Sequence, residues 1–308
     1  MRVSGIVHTR NSADTVERAL ATLRWVDELL VVDMASDDGT LAVAERLADR
    51  VLHAPVVARV DDVRNQFLAG ATHEWIFVLD SDEYLAADAA EQVAALVRTH
   101  GNRVDAFAIP RFNYIAGQVM RGNGWYPDHQ VRLFRRGMVR WRDGHHLPPE
   151  VLTGPDRLLH LSPPECLHIH HLNYRDLRHF VRKQVDYALN GLYDPDPRRF
   201  DFADYVAAAH ERLALYQDTA RDGDLSHALA LLLAWDAIVR GLLHWDSLDP
   251  RPDLGALVAL PTGAARGSAP RAGMRERLAP VMPAARLVRR FIRAGRSAIG
   301  GLVGRRRT

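Results

Sequence analysis

Through residues 3–80 the chain alternates short apolar runs with amphipathic stretches. Val3–His8, Leu29–Val32, Val51–His53 and Trp75–Leu79 are the runs, and each is closed by a polar or acidic residue. Near-continuous apolar runs of this length read as strands buried on both faces, the kind found in parallel sheets. Between them lie three helical patterns. The first has Val16, Leu20 and Leu23 on its buried side and Asp14 as its expected cap, the second covers about 41–48, and the third starts at Asp61 or Asp62. Strands alternating with helices at this spacing predict an α/β fold with a mostly parallel, right-handed crossover sheet flanked by helices.

The chemistry gathers where the strands stop. The run Trp75-Ile76-Phe77-Val78-Leu79 ends at Asp80-Ser81-Asp82-Glu83. On an extended backbone Asp80 and Asp82 point the same way. Two carboxylates at a strand end suit Mg²⁺ or Mn²⁺ held together with substrate phosphates, and the same acids also suit a helix cap. Three strand ends, Thr9–Asn11, Asp33–Asp38 and Asp80–Asp82, fall along one edge of a parallel sheet, where open α/β folds bind ligands. Neither G-x-G-x-x-G nor G-x-x-x-x-G-K-[ST] is present, which disfavours a dinucleotide fold or a P-loop.

Farther along, Asp105–Pro110 and Gln130–Arg135 read as strands on either side of a Gly-punctuated loop that ends in Trp125-Tyr126-Pro127-Asp128. An aromatic pair beside an acid suits a sugar site, and equally a core Trp beside an Asx turn. His168 and His170 share one face of a strand-like segment. No cysteine pair or second spaced His motif supports zinc. From Tyr174 the pattern becomes helical, with further helices near 202–220 and 225–243 joined by the turn Arg221-Asp222-Gly223-Asp224. The expected organisation is a nucleotide-binding and catalytic domain over 1–173, a helical appendage over 174–248, a Pro/Gly-rich linker over 249–283 and a basic amphipathic tail over 284–308.

Charge sharpens that division. Residues 264–308 hold twelve Arg and one Glu, a charge of +11, which leaves −9 for the rest of a chain whose total is +2. In the tail Leu287, Val288, Phe291 and Ile292 fall on one helical face and Arg286, Arg289, Arg290 and Arg293 on the other, a pattern that suits an anionic membrane surface or an acidic protein face. Nucleic acid is disfavoured, because the tail lacks interleaved aromatics and the body is acidic. Cys166 is the single cysteine, so no internal disulfide forms. No apolar run approaches the ~20 residues of a membrane span, and no leader pattern opens the chain. A cytoplasmic location, peripheral on the membrane if the tail binds lipid, is the expectation.

Five segments in order, VVDMASDDGT, the RN of VRNQFLAGA, WIFVLDSDEYL, GWYPDHQVRLFRR and LHIHHLNYRDLRHFVRKQVDYA, resemble family 2 glycosyltransferases of the nucleotide-sugar-binding A-type (GT-A) fold. The resemblance covers roughly residues 3–190 and lies toward the lipopolysaccharide-core glucosyltransferase-like branch. It implies that Thr9, Asn11, Asp33, Asp38, Arg64, Asn65 and Asp80 border a nucleotide sugar. Asp80 and Asp82, as the D-x-D pair, would hold Mg²⁺ or Mn²⁺, with His170 completing the metal shell. It also implies that Trp125 and Tyr126 line the sugar or acceptor site. The branch has a His-Glu pair after its R-L-F strand. Here Leu147 follows His146, which leaves His146, Glu150 and Asp128 (with Asp143 a further choice) as candidate bases.

The function so implied is inverting, metal-dependent transfer of a sugar, UDP-linked by expectation, to a glycan, glycolipid or other acceptor in cell-surface polysaccharide biosynthesis. The alternatives are a catalytically degenerate sugar-nucleotide-binding scaffold and a nucleotidyltransferase. The second is weakened by the absence of glycine from residues 8–15.

Overall fold

The structure, a computed structural model, describes residues 1–57, 60–122, 124–142, 147–163, 166–189, 200–215 and 219–248. The linker and the tail expected from the sequence lie outside the described residues. Met1–Asp249 form one compact unit.

The first half follows the predicted alternation: β1 (Val3–Thr9), α1 (Val16–Thr22), β2 (Glu28–Asp33), α2 (Thr40–Leu47), β3 (Arg50–His53), α3 (Asp61–Leu68) and β4 (Trp75–Asp80). Then come β5 (Glu83–Leu85), α4 (Ala89–His100), β6 (Ala106–Ile115), β7 (Gln118–Val119), β8 (Asp128–Arg135), β9 (Val139–Arg140), β10 (Glu150–Val151), β11 (Leu158–His160) and β12 (Ile169–Tyr174). Four helices close the described chain: α5 (Leu177–Leu189), α6 (Phe202–Leu215), α7 (Thr219–Asp222) and α8 (Asp224–Ser247).

Among the described residues the main sheet has the order β3-β2-β1-β4-β8-β6-β12-β5, with β7 and β11 also on β6. β3, β2, β1 and β4 are mutually parallel. β8 runs antiparallel between β4 and β6, and β12 is parallel to β6. The sheet is therefore mixed, with its parallel part where the apolar runs predicted it.

Both faces are covered, which is why those runs do not alternate with polar residues. Val7, Val31, Leu79, Phe107 and Leu133 pack with Leu20 of α1 and Val93 of α4. Their chain neighbours Ile6, Leu30, Ile76, Val78 and Phe134 pack with Phe67 and Leu68 of α3. A third cluster (Ile115, Met120, Trp125, Tyr174, Phe180 and Leu229) joins the ends of β6 and β12 to α5 and α8.

Three local expectations change. Asp14 does not cap α1: Thr15 holds the cap position, and Asp14 pairs with Arg175 at 3.0 Å. β6 continues through Arg111-Phe112-Asn113-Tyr114, and β8 begins at Asp128. α8 is long and apolar enough to cross a membrane by length and composition alone, although the apolar run is interrupted. The interruption is Asp236, a buried carboxylate paired with Arg212 of α6 and with Arg240.

α6 and α8 pack closely at Gly241. A Cβ there would lie 2.6 Å from Tyr205 Cγ and 2.9 Å from its Cβ. Gly241→Ala is therefore expected to push α6 off α8 and to cost about 1–3 kcal/mol, read as a lower thermal midpoint. An unchanged midpoint would contradict this packing.

Candidate active site

The site is built at the carboxyl ends of β1, β2 and β4, joined by side chains from β6, β8 and β12. Thr9 and Asp33 end β1 and β2 side by side in register. Both are buried, and Thr9 Oγ1 and Asp33 Oδ1 have no hydrogen-bond partner. Asp33 Oδ2 accepts from the Ser36 amide at 3.1 Å. His8, in register with Asp80, adds a third buried atom without a partner, Nε2. Its pKa is well below the ordinary value, first because of burial and then because of Arg64. Buried polar atoms are nearly always partnered in folded proteins, so such a group of orphans points to a polar ligand.

Asp80 sits between two arginines. Arg64 Nη2 donates to its Oδ1 at 2.5 Å, and Arg132 Nη2 donates to its Oδ2. Burial alone would raise its pKa, but the Arg132 and Arg64 guanidiniums hold the carboxyl well below the usual range. Arg132 also donates to Glu83 Oε1 at 3.0 Å, and Arg111 Nη1 reaches the same oxygen at 2.8 Å. Arg111 continues to Asp128 Oδ2 through Nε at 2.9 Å and Nη2 at 2.6 Å. Asn113 Nδ2 donates to Asp128 Oδ2 at 3.1 Å, and its Oδ1 lies 2.8 Å from His171 Nδ1. His171 Nε2 then faces Asp82 Oδ2 at 3.5 Å. A single chain of contacts therefore runs from Arg64 to Asp82.

Asp82 differs from Asp80 in having no arginine on it, while the two side chains are similarly exposed, at 32% and 26%. Burial raises its pKa, but His171 beside it, helped by Lys183, brings it to about 2. An oxygen and an imidazole nitrogen facing each other at a strand end fit a hard divalent cation such as Mn²⁺ or Mg²⁺. No group of three His, Cys, Asp or Glu residues suited to a metal occurs among the described residues. The rest of a coordination shell would therefore come from a ligand.

Several residues expected at the site are placed differently. The histidine opposite Asp82 is His171, not His170, because β12 alternates and presents His171 on the Asn113 side. His170 stacks on Tyr84 with ring centroids 4.8 Å apart, and its Nδ1 meets the Tyr114 hydroxyl. Asp80 is bound by guanidiniums at both oxygens, which leaves Asp82 as the carboxylate of the pair without an arginine. Asn65 clamps the backbone of Trp141, donating to its carbonyl and accepting from its amide at 2.8 Å each. Asn11, with φ of 48°, accepts from the Asp37 amide. Asp38 accepts from the amides of Thr40 and Ala13. In this structure these three side chains hold loop backbone.

Trp125 lies in the third core cluster. Tyr126 stays half-buried, stacked on Phe112 at 5.0 Å and bonded through its hydroxyl to His168 Nε2. Of the candidate bases, Asp128 lies within the network. Glu150 is half exposed on β10, paired with Arg140 in a separate two-stranded sheet. His146 and Asp143 lie outside the described residues.

Arg132, Arg111, Glu83, Asn113 and His171 are network residues to which the sequence alone assigned no site role, Glu83 standing only as the last acid of the Asp80–Glu83 run. Arg132 carried the best signal, as a charge inside the otherwise apolar Val131-Arg132-Leu133-Phe134 of an interior strand. A charge in such a place is tolerated only when paired.

The profile described as Glycosyl transferase family 2 matches residues 4–148, which include the orphaned strand ends, both aspartates and Arg132. Residues 4–148 are a family 2 glycosyltransferase domain. Over 148 residues the chain is 35% identical to a TPR repeat-containing protein of Synechococcus elongatus, covering 47% of this chain and 34% of that protein. An uncharacterized glycosyltransferase of Rickettsia felis is 30% identical over 101 residues, which are 32% of this chain and 35% of that protein. The chain thus matches these relatives over about a third of their length.

Among solved structures, Staphylococcus aureus TarS 1–349 in complex with UDP-GlcNAc aligns at a TM-score of 0.44 and 16% identity, covering 82% of this chain and 93% of that one. The Pyrobaculum calidifontis mannosyltransferase PcManGT, in complex with GDP-Man and Mn²⁺, aligns at 0.44 and 18%, covering 91% and 80%. β12 and its His171 lie beyond the matched span. The sheet brings them back to Asp82.

Proposed function

We propose that this protein transfers a sugar from a nucleoside-diphosphate sugar to an acceptor hydroxyl, with inversion and with a divalent metal. The observation that carries the reading is Asp82 facing His171 beside the buried orphan atoms of His8, Thr9 and Asp33. Thr9 and Asp33 would take the polar edge of the nucleobase or ribose. Asp82 and His171 would hold Mn²⁺ or Mg²⁺, which when bound supplies positive charge to the leaving diphosphate. Arg64 and Arg132 fix Asp80 and keep their own charges beside the same place.

In the reaction the acceptor oxygen attacks the anomeric carbon, the bond from that carbon to the diphosphate oxygen breaks, and the acceptor proton passes to a base. Asp128 is the base this reading favours. Its Oδ2 is clamped by Arg111 and Asn113, and Gln130 donates to Oδ1 at 2.7 Å. Burial raises its pKa, but Arg111, Asn113 and Gln130 together outweigh that and keep it below the ordinary carboxylate value. Asp128→Asn is expected to lower transfer by about 10²–10⁴ while nucleoside-diphosphate binding stays intact, measured by product release and by calorimetry. Full activity in that variant would move the base elsewhere.

Comparing the anomeric configuration of product and donor by NMR tests inversion. UDP remains the expected nucleotide, and a cell-surface glycan or glycolipid the expected acceptor. The double arginine clamp on Asp80 also suits a module that binds sugar nucleotides without turnover. Metal-dependent binding with no transfer across donor and acceptor panels would favour that second reading.

A further inference from the structure

Between Leu225 and Trp245, every exposed residue of α8 is apolar. They are Leu231 (63% exposed), Trp235 (41%), Ile238 (36%), Leu242 (49%) and Trp245 (47%). The polar residues of the same span are buried or half-buried. Asp236 pairs with Arg212 and Arg240, and His244 Nδ1 bonds to the Tyr205 hydroxyl. The exposed five are spaced 4-3-4-3, the seam of a helix that packs on another helix. At 100° per residue they occupy an arc of roughly 80°, narrower than the ≳100° stripe of a helix lying on a broad apolar surface.

We propose that α8 is a dimerisation helix, pairing antiparallel with α8 of a second copy of this chain. The seam is self-complementary under a two-fold axis between Asp236 and Ala237. That axis sets Leu231 against Leu242 of the second copy, Trp235 against Ile238, and Trp245 against the small Ala228. It also brings Asp246 opposite His227, so the ends match in polarity. At roughly 150–250 Å² per side chain of this size, the exposed fractions amount to about 500 Å² a copy, or about 1,000 Å² for the pair, the lower bound for a specific interface. Two tryptophans each exposed by more than two-fifths in one stripe are otherwise an association hazard for a monomer.

The pairing has a route to the active site. Asp222, just before α8, accepts from the amides of Arg121 and Gly122 at 2.7 and 2.6 Å. That loop leads to Trp125 and Asp128, so a second copy on α8 would stiffen the segment carrying the proposed base.

The test is sedimentation equilibrium of the full chain over about 1–100 µM, the range where an interface of this size dissociates. The expected result is a reversible dimer of the wild type. Leu231→Glu/Leu242→Glu should weaken the association at least about tenfold, with nucleoside-diphosphate binding retained and the thermal midpoint equal to that of the wild type at concentrations where both are monomeric, since both positions are exposed. A wild type that stays monomeric throughout, or a variant that dimerises as well as wild type, overturns the proposal. So does a monomer whose partition onto mixed phosphatidylcholine and phosphatidylglycerol vesicles is lost in the same variant, because lipid would then be the occupant of the stripe.

Discussion

Asp82→Asn is expected to abolish sugar transfer, by about a thousandfold or more, and to leave the fold unchanged. The side chain is a third exposed, and its nearest recorded partner is His171 at 3.5 Å. Losing the charge there removes the favourable field of His171 and Lys183, so the thermal midpoint without ligand should fall modestly while the fold is retained. What is lost is the anionic half of the proposed cation site. A bound metal contributes several kcal/mol of charge stabilisation to the departing group, and about 1.4 kcal/mol is a factor of ten in rate. Steady-state transfer and metal-dependent nucleotide binding should fall together. His171→Ala should follow the same pattern more weakly, and His170→Ala should leave metal dependence as in wild type. Equal metal dependence in wild type and Asp82→Asn would remove the site from this place.

Glu83→Ala is expected to act on the fold first. Its carboxylate is fully buried, takes Arg111 and Arg132 on one oxygen, and accepts the Asp80 amide on the other at 3.0 Å. Removing it leaves two buried guanidiniums each short of one partner. Breaking a buried ion pair from one side costs about 3–5 kcal/mol, which for a chain of this size is a fall of roughly 6–20 °C in thermal midpoint. Activity should fall as well, since Arg132 fixes Asp80 and Arg111 fixes Asp128. A midpoint within a degree or two of wild type would show that the two arginines find other partners.

The parallel half of the sheet was legible because burial on both faces forces unbroken apolar runs, and the acids that end those runs mark the ligand edge. The antiparallel insertion of β8 was not legible, because no short-range signal distinguishes Gln130–Arg135 as a parallel or an antiparallel strand. Asp82 could be named from its position, whereas the histidine that faces it could not. Choosing between His170 and His171 depends on the register of β12 against β5 and β6, which is set by residues far away in sequence. For the same reason Asn65 and Asp38 read as ligand contacts until their backbone partners were visible. Trp125 read as a core residue from its own segment and as a site residue from the resemblance, and the structure buries it among α5, α8 and β6.

The central claim is a metal-dependent diphosphate site at Asp82 and His171, and its most direct measurement is thermal stabilisation of the full chain by UDP, GDP and dTDP with and without Mn²⁺. A ligand that binds the folded state alone raises the midpoint by mass action. The account predicts a shift that needs both nucleotide and metal in wild type and disappears in Asp82→Asn. A folded wild type that shows no shift with any nucleotide, or the same shift without metal, would contradict it.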